Sequence, residues 1–269
     1  MTNNIQDKDL PFAQRDIEHV PGHWLLARLG KRVLRPGGLE LSHAMLDHCN
    51  ITGHNVVEFA PGLGRTARDI LAKNPSNYTG IERDEQAQKI VSEIVSAHNG
   101  KCINADATDT GLESDTYDVV IGEAMLSMQT HAGKAKIIAE AHRILKMGGQ
   151  YAIHELGLQP DSLSDDAKEQ IRKDIARAIK VNARPLTVQE WKEIAQEQGF
   201  EVEFVQIAPM ALLNISRNIK DEGIGGVLKI LKNIIVNPKA RKRVLTMKKA
   251  FTQYRNELCG VTLVMRKIK

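Results

Sequence analysis

Aromatic side chains are scarce: Phe, Trp and Tyr together supply 11 of the 269 residues. That argues against a stacking surface for single-stranded nucleic acid and leaves the core to be built from Ile, Leu, Val and Ala. Cysteine is scarcer still. Cys49, Cys102 and Cys259 stand far apart, with no CxxC pair and no histidine at ligand spacing, which excludes a disulfide framework and predicts a reducing, cytoplasmic setting. Nine histidines are present, but none falls into an HxH or HExxH spacing, so no metal site is expected. No apolar run approaches the roughly 20 residues of a membrane span. The opening MTNNIQDKDLPFAQRD lacks the basic-then-apolar order of a secretory signal.

What is present is the balance of an ordinary globular chain, 42% hydrophobic and 26% charged, long enough for one large domain or a domain with a cap. The net charge of +4 is mild, but its distribution is not. From Asn214 to Asn256 there are eleven Lys or Arg against two acids, Asp221 and Glu222, so the rest of the chain is acidic.

Apolar periodicity alternates between short buried runs and helical spacings. Helices are expected over 23–33 and 39–49, ending at breakers such as Arg35-Pro36-Gly37-Gly38. Strands are expected at 55–60, 78–82, 102–105, 117–122 and 150–154, separated by helices at 66–73, 85–98 and 134–145. Such alternation means right-handed crossovers and a parallel sheet covered on both faces. Later come a charged helix at 162–183, a helix opened by a Thr187/Glu190 capping box and stopped by Gly199, and strands at 201–208 and 259–266. Between the last two strands lie helical patterns at Ile224/Val227/Leu228/Leu231/Ile234/Ile235 and Val244/Met247/Phe251/Tyr254, read as a cap over the sheet edge. The expected fold is α/β: a doubly wound, mostly parallel seven-stranded sheet with a reversed last strand and a helical cap inserted before it.

The strongest local signal is Glu58-Phe59-Ala60-Pro61-Gly62-Leu63-Gly64, directly after a strand and before a helix. Glycine there lets the backbone approach a ligand, and the helix start presents unpaired N–H groups. Glu82 ends the next strand, where an acid can take two ribose hydroxyls. Glu58, Glu82, Asp106 and Glu123 all fall at or near carboxyl ends of strands, where a doubly wound sheet binds its ligand. So many carboxylates suit a cationic cofactor better than a phosphate-bearing dinucleotide. Asp118, at a strand start, reads as a structural turn partner.

These runs resemble the motifs of class I S-adenosylmethionine-dependent methyltransferases. Glu58-x-Ala60-x-Gly62-x-Gly64 resembles the family's first motif, with Ala60 in place of the commonest first glycine. Tyr78-Thr79-Gly80-Ile81-Glu82 resembles the second, Asn104-Ala105-Asp106-Ala107 the third, and Tyr117 to Glu123 the fourth. Arg143 to Gly149 resembles the turn into the fifth strand, with Met147 replacing the usual Pro. The resemblance implies that Glu58, Ala60, Gly62 and Gly64 surround the methionine part of S-adenosylmethionine. It places Glu82, with Arg83 beside it, at the ribose, Asp106 with Ala107 at the adenine, and Glu123 in the same cofactor-binding set.

His154 and Glu155, at the end of the fifth strand, are the candidates for a base or acceptor-positioning pair. His19, His23 and His43 are candidates to face the acceptor from above. The expected organisation is N-terminal acceptor-side helices over 1–54, a cofactor-binding core over 55–208, a basic helical cap over 209–257 and a final core strand over 258–269. The expected function is methyl transfer to a small or lipid-like molecule. A non-catalytic cofactor-binding or membrane-associated module stays open, the basic cap offering peripheral membrane contact. A nucleic-acid methyltransferase is a further alternative, although Glu123-Ala124-Met125-Leu126 stands where an Asn-Pro-Pro-aromatic or Asp-Pro-Pro-aromatic run would mark a base-amine acceptor.

Overall fold

The computed structural model describes residues 10–210 and 212–269. The expectations placed on residues 1–9, the polar start and the beginning of the 1–54 segment, and on Ala211 within the cap lie outside the described residues.

The core elements follow in order as β1 (Asn55–Phe59), α3 (Arg65–Leu71), β2 (Asn77–Glu82), α4 (Glu85–Val95), β3 (Lys101–Asn104), β4 (Tyr117–Glu123), α5 (His131–Ile144) and β5 (Leu145–Leu158). They are preceded by α1 (Gly22–Arg28) and α2 (Gly38–Asp47). They are followed by α6 (Asp165–Ile179), the two-residue β6 (Leu186–Thr187), α7 (Val188–Glu197), β7 (Phe200–Pro209), α8 (Ile215–Val236), α9 (Pro238–Gln253) and β8 (Leu258–Lys267). The sheet runs β3-β2-β1-β4-β5-β8-β7, with β6 attached to β5. The β1, β2, β3, β4 and β5 pairings are parallel, whereas β8 runs antiparallel to both β5 and β7. The fold is therefore α/β with a mostly parallel sheet and a reversed last strand, and the short β6 is the one strand that periodicity does not reveal.

Strand alternation builds the two layers. Val57, Val120, Tyr151, Ile153 and Leu263 point to one side and pack with Ile137 and Ile138 of α5 and Trp191 and Ile194 of α7. Their neighbours Val56, Val119, Ile121, Ala152 and Val264 point to the other and pack with Met45 of α2, Ala67 and Ile70 of α3, and Val91 of α4. Continuous apolar runs, buried on both faces, are what a central parallel sheet requires. The α7 start carries the expected capping box between Thr187 and Glu190.

The α8–α9 hairpin rests on helices: α9 packs against α6, and α8 against α2 and α9. Periodicity suggests a cap on the sheet edge; α9 also reaches that edge, where Ala250, Phe251 and Tyr254 pack on a cluster holding Leu156 and Leu158 of β5 and Leu258 of β8, while α2 lies between α8 and the strands. The backbone at Gly37 lies so close to β8 that a Cβ on Gly260 would meet the Gly37 nitrogen at 2.5 Å. This approach delivers the Arg35-Pro36-Gly37-Gly38 segment to the site.

Candidate active site

A cleft of about 370 Å³ opens at the carboxyl ends of β1, β2, β3 and β4, where the crossover topology leaves a crevice between the strand ends. Glu58, Ala60, Gly62, Glu82, Arg83, Asp106, Ala107 and Glu123 line it, so eight of the eleven sequence-assigned residues converge there. Gly64, His154 and Glu155 are not among its lining residues.

Gly64 does a different job. It has φ 70° as the N-cap of α3, and a Cβ there would meet Ile94 Cδ1 at 2.4 Å, so its smallness serves the packing of α3 on α4. Gly62 is the glycine that faces the cleft: with φ 58°, an added Cβ would meet nothing closer than the Ala60 carbonyl oxygen at 3.9 Å. Ala60 itself is left-handed at φ 52°, which explains why glycine is the commonest residue in such a turn and costs this chain about 1 kcal/mol.

Glu82 is buried, and its carboxylate accepts from the Gly62 and Asp84 N–H groups, both at 3.0 Å. It thus ties the glycine turn to β2. Burial pushes its pKa up. At the rim, Asp106 accepts from the Thr108 N–H at 2.9 Å and its hydroxyl at 2.8 Å, which hold its pKa below the usual carboxylate range. Arg83 stands 3.5 Å from the same carboxylate.

Glu58 is fully enclosed, and burial pushes its pKa up to about 8 even though the Tyr78 hydroxyl donates to it at 2.6 Å. The folded state therefore holds a proton that the unfolded state has released between pH 4.5 and about 8, so Glu58 makes stability fall as pH rises through that window. Glu58→Gln keeps an acceptor for Tyr78 and removes this slope. Its melting temperature relative to wild type is expected to climb between pH 5 and pH 8.5 in differential scanning calorimetry, and a constant difference would show that Glu58 is already ionised.

Glu123 is the opposite case. Burial opposes its ionisation, yet Arg35, then His154 and Ser42, outweigh it and hold the pKa at about 2. Arg35 Nε lies 2.8 Å from Oε2, and the Ser42 and Thr66 hydroxyls donate to the two carboxylate oxygens. Arg35 also donates to Thr66. Sequence reasoning misses Arg35, Ser42 and Thr66 altogether, because each joins Glu123 only through the tertiary fold.

His154 and Glu155 are fully buried beneath the cleft, in place of a base facing the acceptor. Register sets His154 beside Glu123 in the parallel β4–β5 pair. Its Nε2 accepts the Gly37 N–H at 3.1 Å, so the proton resides on Nδ1, which donates to Glu123 at 2.9 Å. No lone pair is left for an acceptor. Glu155 points to the opposite face, where it accepts from the N–H groups of Met125 at 2.9 Å, Leu126 at 2.7 Å and Ser127 at 2.9 Å. It suspends the loop that brings Ala124, Met125 and Met128 to the cleft. Asp118 is a structural partner, accepting from the Asn55 N–H at 2.9 Å and from Lys146 at 2.7 Å.

Opposite the strand ends, the cleft is closed by His23, Trp24, Arg32, Leu34 and Arg35. His23 is the histidine of the N-terminal trio that reaches it, whereas His19 is exposed and His43 sits half-exposed 3.5 Å from Asp69. Among the described residues no group of three or more His, Cys, Asp or Glu converges as metal ligands.

The residues fit S-adenosylmethionine: Gly62 leaves open space where a side chain would stand, and Glu82 and Asp106 offer acceptors to hydroxyl and amino groups. A family model described as a methyltransferase domain matches residues 56–149. An uncharacterised protein of Haemophilus influenzae is 32% identical over 251 residues, covering 91% of this chain and 98% of that protein. The ubiquinone/menaquinone biosynthesis C-methyltransferase of a Marinomonas species is 28% identical over 137 residues, covering 50% of this chain and 51% of that one. Among solved structures, the Haemonchus contortus phosphoethanolamine N-methyltransferase 2 bound to phosphomonomethylethanolamine and S-adenosylhomocysteine is similar in fold, with a TM-score of 0.68 at 17% identity. That match covers 92% of this chain and 57% of the larger enzyme, so in either comparison the matched region takes in little more than half of the named methyltransferase. The motif order, the domain match and the acidic crevice agree: the chain belongs to the class I S-adenosylmethionine-dependent methyltransferases, with S-adenosylmethionine as its methyl donor.

Proposed function

We propose that this methyltransferase acts on a small or lipid-like acceptor held between the acidic strand ends and the N-terminal roof. The observation that carries the reading is the composition of that roof: Trp24 and Leu34 offer apolar surface across from Glu58, Glu82 and Asp106, joined by Met128 of the loop after β4. A cleft of about 370 Å³ has the dimensions of a small-ligand site. Two similar proteins support the class: one is a quinone-biosynthesis C-methyltransferase, and the other, similar in fold, holds a phosphorylated small amine.

In this reading Glu82 takes the ribose hydroxyls, Asp106 and Ala107 the adenine, and Glu58, Ala60 and Gly62 the methionine part, with Glu123 in the floor and Arg35 tying it to the roof. S-adenosylmethionine supplies a methyl carbon made electrophilic by its sulfonium. The chain's task is therefore to align the acceptor with that carbon and exclude water. His23 is neutral at physiological pH, because burial lowers its pKa to about 4. Its lone pair orients an acceptor hydroxyl or amine, and it is too weak a base to carry a proton away at neutral pH. His154 and Glu155 act as positioning residues, the first through Glu123 and Gly37, the second through the loop at 125–127.

Methyl-labelled S-adenosylmethionine offered with small phenols, amines, prenyl compounds and a ribosomal RNA control tests the reading. Transfer to a small acceptor is expected. Trp24→Ala is then expected to raise KM for that acceptor about tenfold through lost apolar contact, with cofactor affinity unchanged. Label appearing only in RNA would overturn the proposal.

A further inference from the structure

Helix α8 carries more apolar surface than its packing covers. Val227 and Ile230 are buried, and Ile234 packs with the cluster around Leu25, Leu26 and Met247. Beside them on the helical wheel, Ile224, Leu228, Leu231 and Ile235 recur at spacings of four, three and four and form a second stripe. Those four are 69%, 62%, 39% and 65% exposed. The apolar set that periodicity reads as one buried face is thus split, with four of its six members open to solvent. An open stripe of this kind marks a contact surface.

From Ile224 to Gln253 every charged residue of the α8–α9 hairpin is Lys or Arg. Lys229 and Lys232 of α8 and Lys242, Lys248 and Lys249 of α9 are exposed. The two acids of α8, before Ile224, are turned away. Asp221 accepts from the Leu39 N–H at 3.2 Å, and Glu222 accepts from the Arg32 and Val33 N–H groups, both at 2.8 Å. A second copy of the chain laid on this stripe in a two-fold arrangement would bring the same lysines face to face. An anionic bilayer matches both parts, taking the Ile and Leu side chains into the acyl boundary while the lysines meet its phosphates.

We infer that α8, with the adjoining face of α9, docks this enzyme on an anionic lipid surface. Among the described residues no helix is long and apolar enough to cross a membrane, so α8 lies on the surface. The Asp221 and Glu222 clamps end on the segment that supplies Arg32, Leu34 and Arg35 to the cleft. With a lipid-like acceptor, which rests on the proposed function, the same docking carries the cleft roof to the acceptor. Docking itself is independent of that reading and is measured without cofactor or acceptor.

The test is co-sedimentation of the full chain with vesicles of phosphatidylcholine alone or mixed with phosphatidylglycerol, at low and high salt. Wild type is expected to sediment with the anionic vesicles at low salt and to be released by high salt. The Ile224→Gln/Leu228→Gln/Ile235→Gln variant is expected to bind at least about 30-fold more weakly, and Lys229→Gln and Lys232→Gln about fivefold more weakly each. Unchanged melting temperature and S-adenosylmethionine affinity identify a folded variant, and failure of acceptor methylation alone leaves the docking result standing. Wild type left in the supernatant at low salt would overturn the inference, as would a triple variant that sediments like wild type. A wild-type dimer that the triple variant converts to monomer, with no vesicle binding by either, would assign the stripe to a second copy instead.

Discussion

Glu123→Gln is expected to lower the unfolding free energy by about 3–5 kcal/mol, because it leaves the buried Arg35 guanidinium without its counter-charge. For a chain of this size that is a fall in melting temperature of roughly 6–15 °C. Proton linkage gives a similar size independently. The unfolded carboxyl titrates near 4.5 and the folded one at about 2, a difference worth about 3 kcal/mol at 1.36 kcal/mol per pH unit. Because the folded pKa is depressed, this stability is present above pH 4.5 and is lost as pH falls toward 2. The gap between wild type and variant should therefore narrow to less than half as a series of chemical denaturation curves is taken from pH 6 to pH 3. A gap that stays constant across the series would mean that the Glu123–Arg35 pair is not what holds the roof to the sheet.

The second large effect is on the ligand. Glu82→Ala is expected to weaken S-adenosylmethionine binding by about 100-fold or more, since two charge-assisted hydrogen bonds to hydroxyl groups are each worth about 1.5–3 kcal/mol. The same carboxylate anchors the Gly62 N–H, so the glycine turn loosens as well. Stability should change less than in Glu123→Gln, because removing Glu82 also relieves the desolvation that raises its pKa. Calorimetric titration reads the affinity directly. A variant that binds as tightly as wild type would remove Glu82 from the ribose site.

The core of the fold was legible because its signals are local. Val56-Val57 and Val119-Val120-Ile121 are short apolar runs with acids at their carboxyl ends, and a doubly wound sheet brings those ends together without further instruction. That is why Glu58, Glu82, Asp106 and Glu123 share one cleft. The roles of individual side chains were less legible wherever they depend on distant partners. Thr66 and Glu123 are 57 positions apart, and Gly37 and His154 are 117 apart. No spacing rule links them, so Arg35 reads as part of a breaker and His154 as a free base. Period alone also could not say how much of the α8 apolar arc is covered, since the number of neighbours is a property of the whole assembly of α1, α2 and α9.

Two consecutive residues illustrate the limit. His154 and Glu155 share one strand and one level of burial, yet pleating sends them to opposite faces. One secures the linker at Gly37 and orients Glu123; the other holds three N–H groups of the loop after β4. Both shape the cleft from below, while His23 and Arg32 stand at its roof.

The central claim is that the cleft at the strand ends is built for S-adenosylmethionine. Isothermal titration of S-adenosylmethionine and S-adenosylhomocysteine into the purified protein, with NAD as the control, tests it most directly. Binding of the first two in the micromolar range, with none for NAD, is the predicted result. A folded sample that binds neither, or that binds NAD instead, would contradict it.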